Sequence, residues 1–324
     1  MNDLALIQSP IVSELGLFKS MFYNSLTTSN DLLNSVLLHI RKKQGKLMRP
    51  ILLLLSAKLF GEVSDATYHT ALSLELLHTA SLVHDDIVDE SVERRGQPSV
   101  NALYNNKVAV LVGDYMLATA LMEASRTNNG AIVEAISRLG CSLSDGELLQ
   151  LSNINNPLFS ESVYLDVIGK KTAALFATCA VAGALSVHAT DQELALARKL
   201  GEYIGLCFQI RDDIFDYFDE KEIGKPTGND MREGKLTLPV IHALNKQNDA
   251  GACALAAKVK AGTASSDEID SLVEFTKKNG GIEYAAECML HYKVEATKLL
   301  NPLPDSPVKT ALLAYLDYLI EREK

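Results

Sequence analysis

The chain has 324 residues, 47% of them hydrophobic and 22% charged, with a formal net charge of −10. That composition supports a sizeable core and excludes global disorder, while the acidic balance argues against general nucleic-acid binding. It does not exclude an anionic substrate, because bound cations and local Lys or Arg invert the sign of a pocket.

The five cysteines (141, 179, 207, 253 and 288) make no CxxC and no Cys/His cluster with zinc spacing. Free thiols in a reducing compartment are therefore expected. The start, MNDLALIQSP, has no basic stretch leading into an apolar one, so no secretory signal is expected. The greasiest run, from Ile51 to Ala57, is far too short to span a bilayer. A soluble, cytoplasmic protein without a transmembrane segment is the expectation.

Long proline-free stretches rich in Ala, Leu, Glu and Lys, with no alternating strand pattern, predict an all-α fold. In chain order, helices are expected over 11–27, 31–43, 49–60, 65–91, 101–126, 130–153, 160–187, 191–219, 236–247, 251–262, 267–279, 281–299 and 305–323. Turn chemistry punctuates them at Asn128-Asn129-Gly130, Asn153 to Pro157, and Asn279-Gly280-Gly281. No linker divides the chain, so one domain, 1–324, is expected.

At the start of the 49–60 helix stands Gly45-Lys46-Leu47-Met48-Arg49-Pro50, where the helix dipole adds to the two cations. The 65–91 helix carries Glu75, His78 and the pentad Asp85-Asp86-Ile87-Val88-Asp89. At 3.6 residues per turn, Asp85 and Asp89 share a face, and His78 lies two turns before Asp85 on nearly the same azimuth. Arg94 and Arg95 follow, and Arg forks recognise phosphate oxygens. A histidine on a helix is more often structural, and an exposed Arg pair more often plain solvated surface. Proximity to the acidic row shifts both toward anion binding.

The 160–187 helix holds Lys170-Lys171-Thr172 in apolar company, where a Lys should snorkel or pair; an ordinary helix surface is the duller alternative. The 191–219 helix carries Phe208-Gln209 and then a second pentad, Asp212-Asp213-Ile214-Phe215-Asp216. Mutually repelling carboxylates on one helix face are costly unless a cation offsets them. Oxygen ligands suit Mg²⁺, commonly held by one or two carboxylates plus substrate phosphates. Two such clusters on facing helices would cage a Mg-bound diphosphate. The glycine-bearing segment 219–235, with Lys225 and Lys235, reads as a mobile lid rather than a merely solvated loop, because it starts directly after the pentad. Residues 250–262 and most of 263–324 read as scaffold.

These motifs occur in order: GKLMRP, HTASLVHDDIVDESVERRG, LVGDY, DGELLQL, KKTAALF, FQIRDDIFDYF and GKPTGNDMREGKLTLP. In that set the chain resembles the trans-isoprenyl diphosphate synthases (polyprenyl synthetases), especially the medium- and long-chain type, from about Gly45 to Pro239. The resemblance implies the isoprenoid synthase fold, a bundle of about ten to thirteen antiparallel helices around a deep apolar cavity. It implies condensation of isopentenyl diphosphate with an allylic diphosphate, such as farnesyl or geranylgeranyl diphosphate, to an all-trans polyprenyl diphosphate serving as a quinone side-chain precursor. It further implies a homodimer, and a transient membrane contact for product release.

Carried over residue by residue, Asp85, Asp89 and Asp212 would ligate three Mg²⁺, with Asp86, Asp213 and Asp216 completing or buttressing that shell. Arg94, Lys171, Lys225 and Lys235 would neutralise the allylic diphosphate. Lys46, Arg49, His78 and Arg95 would hold isopentenyl diphosphate. Thr172 and Gln209 would face the allylic cation with their oxygens. Ala80 and Ser81, where the family places bulky aromatics for short products, imply a longer one, with Leu117, Leu121 or Met122 as its floor, although core packing is the plainer role for these three. One departure is Leu47, where the family usually writes a second basic residue.

Three alternatives compete. Glu75-x-x-His78 matches the carboxylate–histidine step of di-iron bundles, but a second Glu-x-x-His is missing from the sequence. Terpenoid cyclases and head-to-head synthases depart from two intact pentads, as do non-catalytic subunits of heteromeric synthases. A short-chain farnesyl or geranylgeranyl diphosphate synthase remains the nearest variant reading.

Overall fold

The structure is a computed structural model and describes residues 3–42, 45–94, 96–153, 159–218 and 227–321. It is all-α, as the sequence predicts. The first half comprises α1 (Asp3–Gln8), a 3₁₀ turn (Ser9–Ile11), α2 (Val12–Ser25), α3 (Asp31–Arg41), α4 (Met48–Phe60), α5 (Asp65–Val88), α6 (Val100–Tyr104), α7 (Asn106–Arg126) and α8 (Gly130–Ser152). There follow α9 (Glu161–Ile168), a π turn (Gly169–Ala173), α10 (Ala174–Leu185), α11 (Asp191–Phe215), α12 (Asn229–Arg232), α13 (Leu238–Gln247), α14 (Ala250–Lys260), α15 (Ser266–Lys278), α16 (Gly281–Leu300) and α17 (Pro307–Glu321). All five cysteines are free.

Two compact units emerge. The first draws on 1–140, 178–198 and 304–314, the second on 141–177, 199–303 and 315–324. In the first, α4 is buried along its whole length from Pro50 to Ala57, which accounts for the apolar run in the sequence. Helices α5 and α7 pack antiparallel. Ser73 Oγ donates to the Ala120 carbonyl at 2.7 Å, and His69 Nδ1 lies 2.7 Å from the buried Glu123 carboxylate. In the second unit, Tyr164, Ile168, Ile210, Ile214 and Met289 form one apolar cluster. Tyr217, Met231, Val240 and Leu272 belong to another.

The helix boundaries differ from expectation where local backbone chemistry intervenes. The expected 101–126 helix breaks at Asn105, which takes φ 107° and accepts from the Val108 N–H, so one Asn both ends α6 and caps α7. The 65–91 helix stops at Val88. Glu90 sits left-handed at φ 50°, its N–H donates to Ile87, and that of Ser91 donates to Asp86, the paired bonds of a Schellman ending. The 191–219 helix stops at Phe215, and the 160–187 helix is interrupted by the π turn. Three short elements escaped periodicity: α1, α12, and a two-residue hairpin pairing Glu93–Arg94 with Gln97–Pro98.

Two stretches, Asn106–Arg126 and Glu161–Leu185, are long and apolar enough to cross a bilayer by length and composition. The second is mostly core, 67% of its most apolar window being buried. The first gives one face to α5 and leaves another stripe of apolar residues exposed.

Close helix contact in the first unit rests on Gly183 of α10. A Cβ there would stand 2.4 Å from the Leu53 carbonyl oxygen of α4, a backbone atom that cannot swing aside. Gly183→Ala is expected to cost about 1–3 kcal/mol through overpacking, read as a lowered midpoint in urea or thermal unfolding. An unchanged midpoint would show that the two helices part freely.

Candidate active site

Each acidic pentad ends a helix. Asp85 lies in the last turn of α5 and Asp89 is its C-cap; Asp212 lies in the last turn of α11, and Asp216 follows its end. Carboxylates at a helix C-terminus meet the negative end of the backbone dipole, in addition to repelling one another. Asp85, Asp89, Asp212 and Asp216 are all half-buried. The second Asp of each pentad behaves differently: Asp86 and Asp213 are each only 2% exposed.

Asp86 turns inward to Arg94, whose Nε and terminal nitrogen both reach Asp86 Oδ1, at 2.8 and 2.7 Å. Breaking a buried pair of this kind leaves a stranded charge, so Asp86 fixes the position of Arg94. Asn101 adds a bond from its side-chain nitrogen to the Asp86 carbonyl. Beside this pair opens a cleft lined by His39, Gly45, Glu75, His78, Asp86 and Arg94, with Phe22, Leu82, Val83 and Val100 as apolar walls. Of the expected isopentenyl and phosphate contacts, His78 and Arg94 thus share one cleft, which Gly45, next to Lys46, also lines. Lys46 is exposed, whereas Leu47 is buried and left-handed, at φ 55°. The side chain that replaces a basic residue is therefore withdrawn into the core.

In the second unit, Asp213 accepts from Tyr164 Oη at 2.6 Å and from Gln209 Nε2 at 2.8 Å. Gln209 Oε1 in turn accepts from Thr172 Oγ1 at 2.7 Å. Burial first, then the charges of Asp212 and Asp216, push the Asp213 carboxyl up to about 7, against the opposing effect of those two hydrogen bonds. The Tyr164 phenol is held well above its ordinary value, mainly by burial and then by Asp213, so it remains a donor. Asp216 accepts the backbone N–H groups of Asn229 and Asp230 at 2.9 and 3.1 Å, which ties the chain beyond the pentad to the end of α11. Burial, then Asp213 and Asp216, also raise the Asp230 carboxyl.

Lys170, Lys171 and Thr172 all lie in the π turn, an irregularity frequent at functional sites. Lys171 pairs with Glu147 and donates to Gln150 Oε1 at 3.2 Å; Lys170 pairs with Asp145 at 2.6 Å. Gly146 lets α8 approach, since a Cβ there would sit 2.9 Å from Lys171 Cγ. Lys235 pairs with Glu233 at 2.8 Å. Rings of Phe176 and Phe208 stand 5.1 Å apart beside Gln209.

Ala80 is fully buried on α5, and Ser81 is half-buried, its hydroxyl donating to the His78 carbonyl. Leu117 is half-buried on α7, whereas Leu121 is 53% and Met122 55% exposed. Arg95, Lys225 and the lid stretch 219–226 lie outside the described residues.

Sequence reasoning missed Tyr164, Glu147 and Asp230. Glu147 and Asp230 stand inside the ordered motifs, in DGELLQL and GNDMREGK, but neither shares a helical stripe with a pentad. Tyr164 is linked to Thr172 across the π turn, which periodicity does not anticipate.

Among the described residues, no group of three or more His, Cys, Asp or Glu side chains is arranged to hold a metal ion alone. The pairs Asp85/Asp89 and Asp212/Asp216 nevertheless suit Mg²⁺, which takes few carboxylates and completes its shell with water and phosphate.

The family model for Polyprenyl synthetase matches residues 30–276. The octaprenyl diphosphate synthase of Escherichia coli is 32% identical over 300 residues, 92% of this chain and 93% of that protein. A crystal structure titled geranylgeranyl pyrophosphate synthase from Bacteroides thetaiotaomicron is 57% identical, with a TM-score of 0.88 over 99% of this chain and 100% of that one. A polyprenyl synthase from Caulobacter crescentus, crystallised with calcium and isoprenyl diphosphate, is 28% identical, with a TM-score of 0.92 over 98% of each chain. A helical fold with two helix-ending acidic pentads, matched along nearly its whole length by such proteins, belongs to the polyprenyl synthetase family.

Proposed function

We propose that the chain is a Mg²⁺-dependent trans-prenyltransferase that joins isopentenyl diphosphate to an allylic diphosphate, giving a medium- or long-chain polyprenyl diphosphate. The observation that carries this reading is the shared architecture of the two pentads. Each leaves an i, i+4 pair of half-buried carboxylates at a helix C-terminus and buries its second Asp against fixed hydrogen-bond donors. Such rows suit cations, and the Caulobacter relative was crystallised with both a divalent cation and an isoprenyl diphosphate.

The Asp85/Asp89 pair and Asp212 would ligate Mg²⁺, three ions in all, and Asp216 would support the second set while its carboxylate accepts the N–H groups of Asn229 and Asp230. When bound, Mg²⁺ neutralises the charge that builds on the departing diphosphate. Arg94, Lys171 and Lys235, with Lys225, add cationic hydrogen bonds to the same group. Lys46, Arg49, His78 and Arg95 would bind isopentenyl diphosphate, His78 from the cleft that it shares with Arg94. The allylic C–O bond breaks with its electron pair leaving on the diphosphate. Thr172 and Gln209 turn oxygens toward the resulting cation, an electrostatic stabilisation of the kind that dominates many active sites. The isopentenyl double bond attacks that cation, and the proton is lost to the released diphosphate. Apolar walls that include Phe176 and Phe208 keep water from quenching the cation.

The buried methyl of Ala80 supports a product that passes beyond the first pentad, consistent with a quinone side-chain precursor. A second reading, a twenty-carbon product, is favoured by the 57% identity to the Bacteroides geranylgeranyl pyrophosphate synthase. The enzyme works as a cytoplasmic homodimer. Support for the dimer comes from α7, whose outer stripe exposes Val110, Leu111, Tyr115, Leu121 and Met122, an apolar patch of the kind that partners cover.

Asp85→Ala and Asp212→Ala are each expected to lower Mg²⁺-dependent condensation by about a hundredfold or more, with the helical circular dichroism unchanged; turnover near wild type would remove their metal role. Incubation with labelled isopentenyl diphosphate and primers of ten, fifteen and twenty carbons separates the two product lengths by chromatography. Ala80→Phe should shift that ladder toward shorter chains, and an unaltered ladder would refute a path past residue 80. Leu111→Glu should move the protein from dimer to monomer in light scattering, whereas a persistent dimer would place the interface elsewhere.

A further inference from the structure

The hydrogen-bond chain behind Asp212 has a direction. Thr172 Oγ1 donates to Gln209 Oε1, Gln209 Nε2 donates to Asp213 Oδ1, and Tyr164 Oη donates to Asp213 Oδ2. A primary amide is nearly symmetric in shape, and a half-turn about its last bond exchanges oxygen for nitrogen. Gln209 and Asp213 are i, i+4 on α11 and so share a face. A carboxylate oxygen facing the amide selects its nitrogen, which leaves the amide oxygen for Thr172. The Thr172 hydrogen is then committed to Gln209, so toward any other group Thr172 presents lone pairs.

Asp213 itself must be held for this to work. It is 2% exposed, and Tyr164 takes the oxygen that Gln209 does not. The π turn makes this meeting feasible. In an unbroken α-helix, residues eight apart lie about 80° apart around the axis. A π turn takes up extra residues per turn, which brings Thr172 back toward the face that carries Tyr164.

We propose that Tyr164 is a positioning residue for the condensation, acting through Asp213 to lock the Gln209 amide so that oxygens, and no N–H, face the allylic cation beside Thr172. This rests on the reading that Thr172 and Gln209 flank that cation. Tyr164 touches neither substrate nor metal in this scheme. Its role is to give the Gln209–Thr172 pair its polarity.

The test uses the full chain with Mg²⁺, farnesyl diphosphate and isopentenyl diphosphate, and measures kcat, both KM values, and the ratio of farnesol released to condensed product. Tyr164→Phe should lower kcat about tenfold, the loss expected from about 1.4 kcal/mol, raise the farnesol ratio, and leave both KM values within about twofold. Asp213→Asn keeps the shape, but its amide nitrogen should rotate Gln209 and turn an N–H toward Thr172 and the cation, lowering kcat at least about a hundredfold. Adding Gln209→Glu to Asp213→Asn restores acceptors toward both Thr172 and Asn at 213, and should recover at least about tenfold of that loss, a rescue that a merely structural role would not give. An active wild type with Tyr164→Phe unchanged in kcat and farnesol ratio would overturn the inference alone, as would a double variant no better than Asp213→Asn. A wild type without Mg²⁺-dependent condensation would overturn the underlying reading as well.

Discussion

A carboxylate at the C-terminus of an α-helix faces the exposed carbonyls and the negative end of the backbone dipole, and this chain puts a pair of them there twice. The Asp85/Asp89 row terminates α5, and the Asp212/Asp216 row terminates α11. Nothing in the physics of folding favours that placement: like charges one turn apart repel, and half-burial weakens the screening by water. The arrangement makes sense as a cost carried for function, in which a divalent cation and an anionic substrate together reverse the balance. Much of the neighbouring structure manages that cost.

The second Asp of each pentad shows how. Asp86 and Asp213 are both buried, and each is engaged, one through a single oxygen by the Arg94 guanidinium and the other through both oxygens by Tyr164 and Gln209. A doublet of adjacent acids thus divides its labour, one residue offering oxygens outward and the next orienting a partner. The two pentads differ in the partner chosen. Beside α5 the buried Asp fixes a cation suited to phosphate; beside α11 it fixes a neutral amide and, through it, a hydroxyl. In the proposed function the first arrangement would grip an anion and the second would present lone pairs to a cation.

Much of this was legible in the sequence, because helix periodicity and acidic spacing are local properties. The all-α class and the two rows follow from residues a few turns apart, whereas the meeting of Thr172 with Gln209, on a different helix, was implied only by the family resemblance and is seen in the structure as a hydrogen bond. What escaped has a common cause: departures from the 3.6-residue repeat. Asn105 divides one expected helix by taking φ 107° and ψ 165°, outside the left-handed helical region and rare for any residue but glycine, and Glu90 takes a positive φ at the end of α5 without being glycine. The π turn re-registers Thr172 against Tyr164, so a tyrosine that the sequence reading passed over joins the polar chain. Leu47 was conspicuous as a missing cation, but its left-handed backbone and burial are outcomes of tertiary packing. Asp230 sits beyond the end of α11, and is held there by its backbone N–H, which donates to the Asp216 carboxylate.

The cations assigned to phosphate are not idle before substrate arrives. Among the described residues, Arg94 is paired with Asp86, Lys171 with Glu147, and Lys235 with Glu233. An acidic partner for each looks self-defeating in a site proposed for an anion, but donor geometry resolves this. Arg carries five N–H groups and Lys three. Asp86 engages Arg94 through one carboxylate oxygen, and Lys171 commits two donors to Glu147 and Gln150, so both retain N–H groups for phosphate. A long flexible side chain loses rotamer entropy when it is fixed, and these pairings impose that loss on folding instead of on binding. The acidic partners therefore orient the cations, and in the proposed function a diphosphate would have only to share donors already in place.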